Sequence, residues 1–242
     1  SMTHTRARAA ATREGARIVS MPGIGSIAFV SGGMTADYNT LQREISGMGS
    51  VFRRRRRVSV KSAAGTDVEF LTGDRWILED TGICNRPGQV ANLPAGKVFV
   101  LPKEGSMNGT IIIDGSWEGR LLEEPLSLQV ENGIVVDISG GDIADEISSV
   151  FDIARSGLRG SRRDRVWTVA EFGFGMNPKA TKLVGNKVED LVVRGSSYFG
   201  FGDNSHLGGT ARVGVHLRGS LISPEVDLEG SVIVSDGKIS TR

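Results

Sequence analysis

A single cysteine, Cys84, stands in 242 residues. That excludes an internal disulfide framework and points to a reducing, cytoplasmic setting. No apolar run reaches the length of a bilayer span, and the start lacks the basic-then-apolar pattern of a signal peptide. Charge of one sign is missing as well: 29 Lys and Arg stand against 28 Asp and Glu. No whole-molecule field therefore selects nucleic acid or an anionic membrane as a partner. Gly-x-Ser-x-Gly elbows and Gly-Lys-Ser/Thr phosphate loops are absent, which removes the common hydrolase and nucleotide-binding signatures. The run Arg53 to Arg57 has no interleaved aromatics. It reads as a solvated strand entry whose alternate arginines lie along apolar surface, or as a salt-bridging or peptide-contacting segment.

What is abundant is glycine, 33 residues, about twice ordinary usage, which favours short strands and tight turns. The spacing predicts a helix over Thr5 to Glu14 stopped by Gly15, then a brief strand from Arg17 to Met21 closed by Pro22-Gly23. Thr35 is placed to cap a second helix with Tyr38, Leu41, Ile45 and Met48 on one face. From Val51 the pattern turns to strands. Leu126, Leu128 and Val130 alternate with polar residues, Asn132-Gly133 turns the chain, and Ile134, Val136 and Ile138 run back. A second hairpin is marked by Asp236-Gly237. One amphipathic helix runs from near Asp142 to before Gly157, with Ile143, Ile147, Val150, Phe151 and Ala154 on its face. The expected fold class is α+β: residues 1–50 as the remnant of an N-terminal α/β domain, and 51–242 as a mainly antiparallel, barrel-like β domain with few helices.

Several segments, in order over nearly the whole chain, resemble the aminopeptidase T-like (leucyl aminopeptidase) family, which includes iron-dependent 2,5-dihydroxypyridine 5,6-dioxygenases. They are Thr3-His4-Thr5, Gly15-Ala16-Arg17, Met21-Pro22-Gly23, Gly33 to Tyr38, Gly65-Thr66-Asp67, Asn92-Leu93-Pro94-Ala95-Gly96, Glu104-Gly105-Ser106, Asn108-Gly109-Thr110, Ala170-Glu171-Phe172-Gly173, Asn177-Pro178-Lys179 and Phe201-Gly202-Asp203-Asn204. The resemblance implies a further N-terminal α/β domain that is mostly absent here, with Ser1-Met2 read as one tag residue before a native initiator. It also implies dimers, and one or two divalent ions held by glutamates, histidines and an aspartate.

The implied ligand positions are largely substituted. Lys97 follows the Asn-Leu-Pro-Ala-Gly turn where a glutamate is implied, and Tyr198 stands for a histidine. The late His-x-Asp pair reads His216-Leu217-Arg218. Glu171 and His216 survive, and His206 lies near where peptidase members place a tyrosine. Cationic side chains offer a metal no lone pair. Two carboxylates replaced by two cations shift the local charge by four units, each close contact worth up to about 4 kcal/mol. The expectation is therefore a pseudoenzyme with no metal, no cofactor and no catalytic residue. Its ligand-binding set is Lys97, Glu171, Tyr198, His206, His216 and Arg218, and its expected ligand is a peptide, with a precursor peptide presented to a partner enzyme of peptide natural-product biosynthesis as the suggested case. Lys97 and Arg218 would hold a carboxylate of that peptide, or would merely neutralise Glu171 or Asp203. Asp203 and Asn204 read as turn residues. The alternatives are a metal-dependent hydrolase or ring-cleaving dioxygenase using Glu171, His206 and His216, and a regulatory subunit of a full-length relative. A homodimer is expected, through the Tyr38-Leu41-Ile45-Met48 face.

Overall fold

The computed structural model describes residues 5–53, 55–75 and 77–240. Ser1-Met2, Thr3, His4 and Arg54, which fall within segments named above, lie outside the described residues. Period-two alternation of apolar and polar residues makes half-buried strands, and here it builds two sheets that share one core. The larger sheet has the order Ile134–Ser139, Leu126–Glu131, Asn108–Ile113, Asp67–Leu71, Arg57–Lys61, Glu225–Leu228, Ser231–Ser235, Lys238–Ile239. The smaller has the order Leu78–Asp80, Lys97–Val100, Val169–Gly175, Ser197–Gly202, His216–Leu221, Ser116–Trp117, Arg120–Leu121. Neighbours in both are antiparallel. A parallel pair, Ile18–Ser20 with Val90–Asn92, stands apart.

The fold is mixed α+β with mostly antiparallel sheets, but no closed barrel forms among the described residues. Both sheets are open. Three of their four edge strands, Arg120–Leu121, Leu78–Asp80 and Lys238–Ile239, are only two or three residues long, too short to give the six-residue edge Ile134–Ser139 or each other the ladder that closure needs.

Between the sheets, Phe70 meets Phe172 edge-on at 5.5 Å, and Val58, Val60, Ile111, Leu126 and Leu128 join Phe199, Phe201 and Leu221 in one cluster. Helix α1 (Arg6–Arg13) is capped by Thr5. Helix α2 (Tyr38–Phe52) is capped by Asp37, whose side chain accepts from Asn39 and Thr40. Thr35, expected as the cap, instead ends a 3-10 turn. The α2 face Leu41, Ile45, Met48 and Phe52 is buried within the chain, with Phe52 stacked on Phe174 at 5.9 Å. That face is therefore not a dimer surface, contrary to expectation, because the β-rich core itself covers it. Helix α3 (Gly141–Ser156) buries Ala144, Ile147 and Phe151, and Val150 points outward. The Asn132-Gly133 hairpin is present, but a register shift after Gln129 pairs Val135 with Val130. Val135 is thus the buried residue and Val136 faces solvent.

Of the arginine run, Arg57 pairs with Glu69 at 2.7 Å, Arg56 with Asp74 at 3.3 Å and Arg53 with Glu79 at 3.6 Å. This matches a solvated, salt-bridged strand entry.

Candidate functional site

Two strands carry a repeated sequence device. In Phe172-Gly173-Phe174-Gly175 and Tyr198-Phe199-Gly200-Phe201-Gly202 the aromatics at alternate positions point into the core, so the intervening residues face the other side of the sheet. Register places Glu171 opposite Gly200, Gly173 opposite Tyr198, and Gly200 and Gly202 opposite Arg218 and His216. Lys97 lies opposite Gly175, with Asp80 opposite Lys97. One sheet face thus collects Asp80, Lys97, Glu171, Tyr198, His216 and Arg218. The glycines are required. A Cβ on Gly200 would come within 2.5 Å of the Glu171 side chain, and one on Gly173 within 2.6 Å of the Tyr198 ring.

Glu171 is fully buried. Its Oε1 accepts a short hydrogen bond from Arg218 Nε, and His216 Nε2 lies 3.5 Å from the same oxygen. Burial pushes the Glu171 carboxyl up, but the Arg218 guanidinium and His216 outweigh it and hold the group far below the usual carboxylate range. Arg218 in turn keeps its proton more firmly than a free arginine, since the adjacent Glu171 charge overcomes desolvation. Its backbone N–H donates to Glu118 at 2.8 Å, and Glu118 also takes Lys187. His216 Nδ1 stands 2.6 Å from the carbonyl of Asp203. A carbonyl only accepts, so Nδ1 carries the hydrogen and Nε2 is turned toward Glu171. The His206 ring meets His216 edge-on at 5.6 Å.

Tyr198 is buried across Gly173, and burial followed by the Glu171 charge pushes its hydroxyl well above the usual phenol range. The second cation, Lys97, forms a separate buried pair with Asp80 at 2.8 Å. Asp203 accepts from Ser205, Val213 and Gly214, and Asn204 from Ala211, as expected of turn residues.

The predicted site residues therefore fall into two groups. Glu171, Tyr198, His216 and Arg218 converge, with His206 at the margin, while Lys97 is committed to Asp80. Each cation neutralises a carboxylate of the chain itself. Asp80 and Glu118 were not legible beforehand, since nothing in the local sequence marks them. The glycine-aromatic alternation was a usable signal.

The residues do not fit the divalent ion that the resemblance implies. Among the described residues no three His, Cys, Asp or Glu side chains are grouped to hold a metal, and of the two carboxylates on the face Glu171 is engaged by a guanidinium and Asp80 by Lys97. Three atoms around the pair, Glu171 Oε2, Tyr198 Oη and His216 Nε2, are buried without hydrogen-bond partners.

Comparison with known proteins gives four matches. The model of the family described as NicX, 2,5-dihydroxypyridine 5,6-dioxygenase, matches residues 1–241. The 2,5-dihydroxypyridine 5,6-dioxygenase of Pseudomonas putida KT2440 is 22% identical over 213 residues, 82% of this chain and 58% of that protein. The chain thus spans less than two thirds of that curated relative. Among solved structures, the P. putida KT2440 2,5-dihydroxypyridine dioxygenase superposes with TM-score 0.82 at 20% identity, covering 99% of this chain and 70% of that one. AmpT from Thermus thermophilus superposes with TM-score 0.62 at 15% identity, covering 84% and 54%. At these identities the superpositions speak to the fold.

Proposed function

The chain belongs to the NicX, 2,5-dihydroxypyridine 5,6-dioxygenase family, and from that premise we propose that it is a non-catalytic member that binds its ligand without turning it over. One observation carries this reading: Arg218 is bonded to Glu171, the surviving carboxylate of the implied metal site. A guanidinium cannot be deprotonated in a protein and offers no lone pair. A divalent ion approaching Glu171 would meet a fixed positive charge worth several kcal/mol of repulsion, up to about 4 kcal/mol at an effective dielectric near 20. The ligand class we propose is an extended peptide, since the likeness to AmpT supports a scaffold of the aminopeptidase type and open sheets bind extended chains by strand addition. Presentation of a precursor peptide to a tailoring enzyme is the role such a protein would serve.

A second reading is favoured by one feature of the same site and by the family itself. His216 Nε2, buried and without a hydrogen-bond partner, faces Glu171, and His206 stands against His216. With rearrangement of Arg218 these three are the donors of a reduced metal site serving a ring-cleaving dioxygenase or an aminopeptidase-like hydrolase.

One experiment separates the readings. Protein loaded anaerobically with ferrous iron and desalted is analysed for metal, then assayed with 2,5-dihydroxypyridine and oxygen. The binding reading expects less than about a tenth of an equivalent of iron and no ring opening above buffer. Stoichiometric iron with turnover that disappears in Glu171→Ala establishes the second reading instead. Peptide binding is measured separately, by fluorescence anisotropy with a labelled library of extended peptides, and lack of binding by all of them would remove the peptide assignment.

A further inference from the structure

We infer that the arginine-rich segment following α3 is a docking surface for a peptide segment in which acidic residues flank apolar ones. Residues 155–165 carry five arginines and one aspartate, a net charge of +4, whereas the whole chain carries +1. Elsewhere the fold answers its cations with carboxylates of its own. Arg53, Arg56 and Arg57 each meet one at the strand entry, Arg194 meets Glu44, and Arg218 meets Glu171. Arg155, Arg159, Arg162 and Arg163 are all exposed, and among the described residues their side chains make no ion pair or hydrogen bond. Their planar forks are thus left open for carboxylates from outside, each of which they can take as a bidentate pair.

These cations stand on a fixed platform. At its ends Leu158 packs on the core and Val166 is buried. Arg165 Nη1 donates to Thr210 Oγ1 at 3.1 Å, and Thr168 Oγ1 donates to the Arg165 carbonyl at 2.8 Å. A surface ordered before binding loses little conformational entropy on binding. Between this segment, α3 and the strand Ile134–Ser139 lies a cleft of about 560 Å³. Its apolar lining is Val136, Ile138 and Trp167, the last stacked on Phe151 at 3.8 Å. Arg155 and Arg163 line it as well.

Charge decides which anionic partner fits. Asp137, Asp152 and Asp164 also line the cleft. A nucleic-acid strand carries a phosphate at every nucleotide, so in the cleft it would set phosphates against these carboxylates. The segment also has no aromatics between its arginines on which bases could stack. A peptide escapes this conflict. Its apolar side chains rest on Val136, Ile138 and Trp167, while its carboxylates reach Arg159 and Arg162, which lie outside the cleft lining. No residue of the Glu171–Arg218 site takes part, so this inference stands or falls apart from the ligand reading above.

Fluorescence anisotropy with the whole chain tests it. The probes are a labelled peptide in which leucines are flanked by glutamates, the same peptide with glutamine for glutamate, and a labelled single-stranded RNA. The glutamate peptide is expected to bind, and to bind more weakly as salt is raised. Arg162→Glu combined with Arg163→Glu is expected to raise its dissociation constant about tenfold or more. Both positions are exposed, so the thermal midpoint of that variant should stay where it is. Should it fail to fold, Arg159→Gln decides, with an expected rise of about threefold. No binding of the glutamate peptide, equal binding of the glutamine peptide, or an affinity unchanged in the folded variants would each overturn the inference. RNA bound more tightly than the glutamate peptide would overturn it too, by making the surface one for nucleic acid.

Discussion

Glu171 is enclosed by protein yet stays ionised, because Arg218 lies against it and the two desolvation costs are offset only as a pair. Removing one partner strands the other. Arg218→Ala leaves a buried carboxylate without its cation, and the expected loss is about 3 kcal/mol. In a chain of this length that is a fall of roughly 6–12 °C in thermal midpoint, read by calorimetry. The same pair sets the acid limb of stability. The folded carboxyl is depressed below its ordinary value of 4.5, so its contribution is fully present above that value and drains away as pH falls below it. Asp203, also depressed in the folded state, acts in the same direction. Urea midpoints measured against pH should hold level down to about pH 5 and then drop, with a shallower drop in Glu171→Gln. An acid limb identical in Glu171→Gln would show that other carboxylates carry it.

Elements position these residues through what they omit. The strands Val169–Gly175 and Ser197–Gly202 put aromatics in the core and glycines on the site face, leaving room for Glu171 and Tyr198 to lie flat on the sheet. Gly200→Ala drives a Cβ to 2.5 Å from Glu171 Cγ, and the overpacked site should lose about 1–3 kcal/mol. Because the intruding atom displaces the Glu171 carboxylate, the acid limb should change along with the midpoint, a change that mere loss of packing would not produce. At the other end of the core, α2 starts on Asp37, whose carboxylate satisfies two N–H groups of the first turn. Asp37→Ala should lower the midpoint of chemical denaturation through loss of the cap, whereas Thr35→Ala, at the position that the sequence pattern favours for the cap, should lower it less.

For the molecule as a whole, two open sheets, α2 and α3 share one core, and the site face lies on the outer side of the smaller sheet. A ligand that binds only the folded chain raises its stability by mass action, about 2.7 kcal/mol at a hundredfold excess over its dissociation constant. Excess ferrous iron, manganese or zinc should therefore leave the thermal midpoint where it is. An upward shift abolished by His216→Ala would show that the histidines and Glu171 rearrange into a metal site. No helix of the described residues is long and apolar enough to cross a membrane, in keeping with the absence of long apolar runs.

Local periodicity and turn chemistry determined the elements. Helices α1, α2 and α3, both hairpins and the strand-rich composition follow from spacings within a dozen residues, which is the range over which backbone preferences act. The ordered segments also carried the family. Tertiary structure alone decided the rest. A one-residue register shift at Gln129 exchanged Val136 for Val135 in the core, because strand phase depends on the partner strand. The apolar face of α2 was readable, but not what covers it. The destinations of the two cations were also hidden: Lys97 went to Asp80, 17 residues before it, and Arg218 to Glu171, 47 residues before it. A carboxylate's partner is whichever cation the sheet register brings alongside, and register joins residues whose separation along the chain carries no local signal.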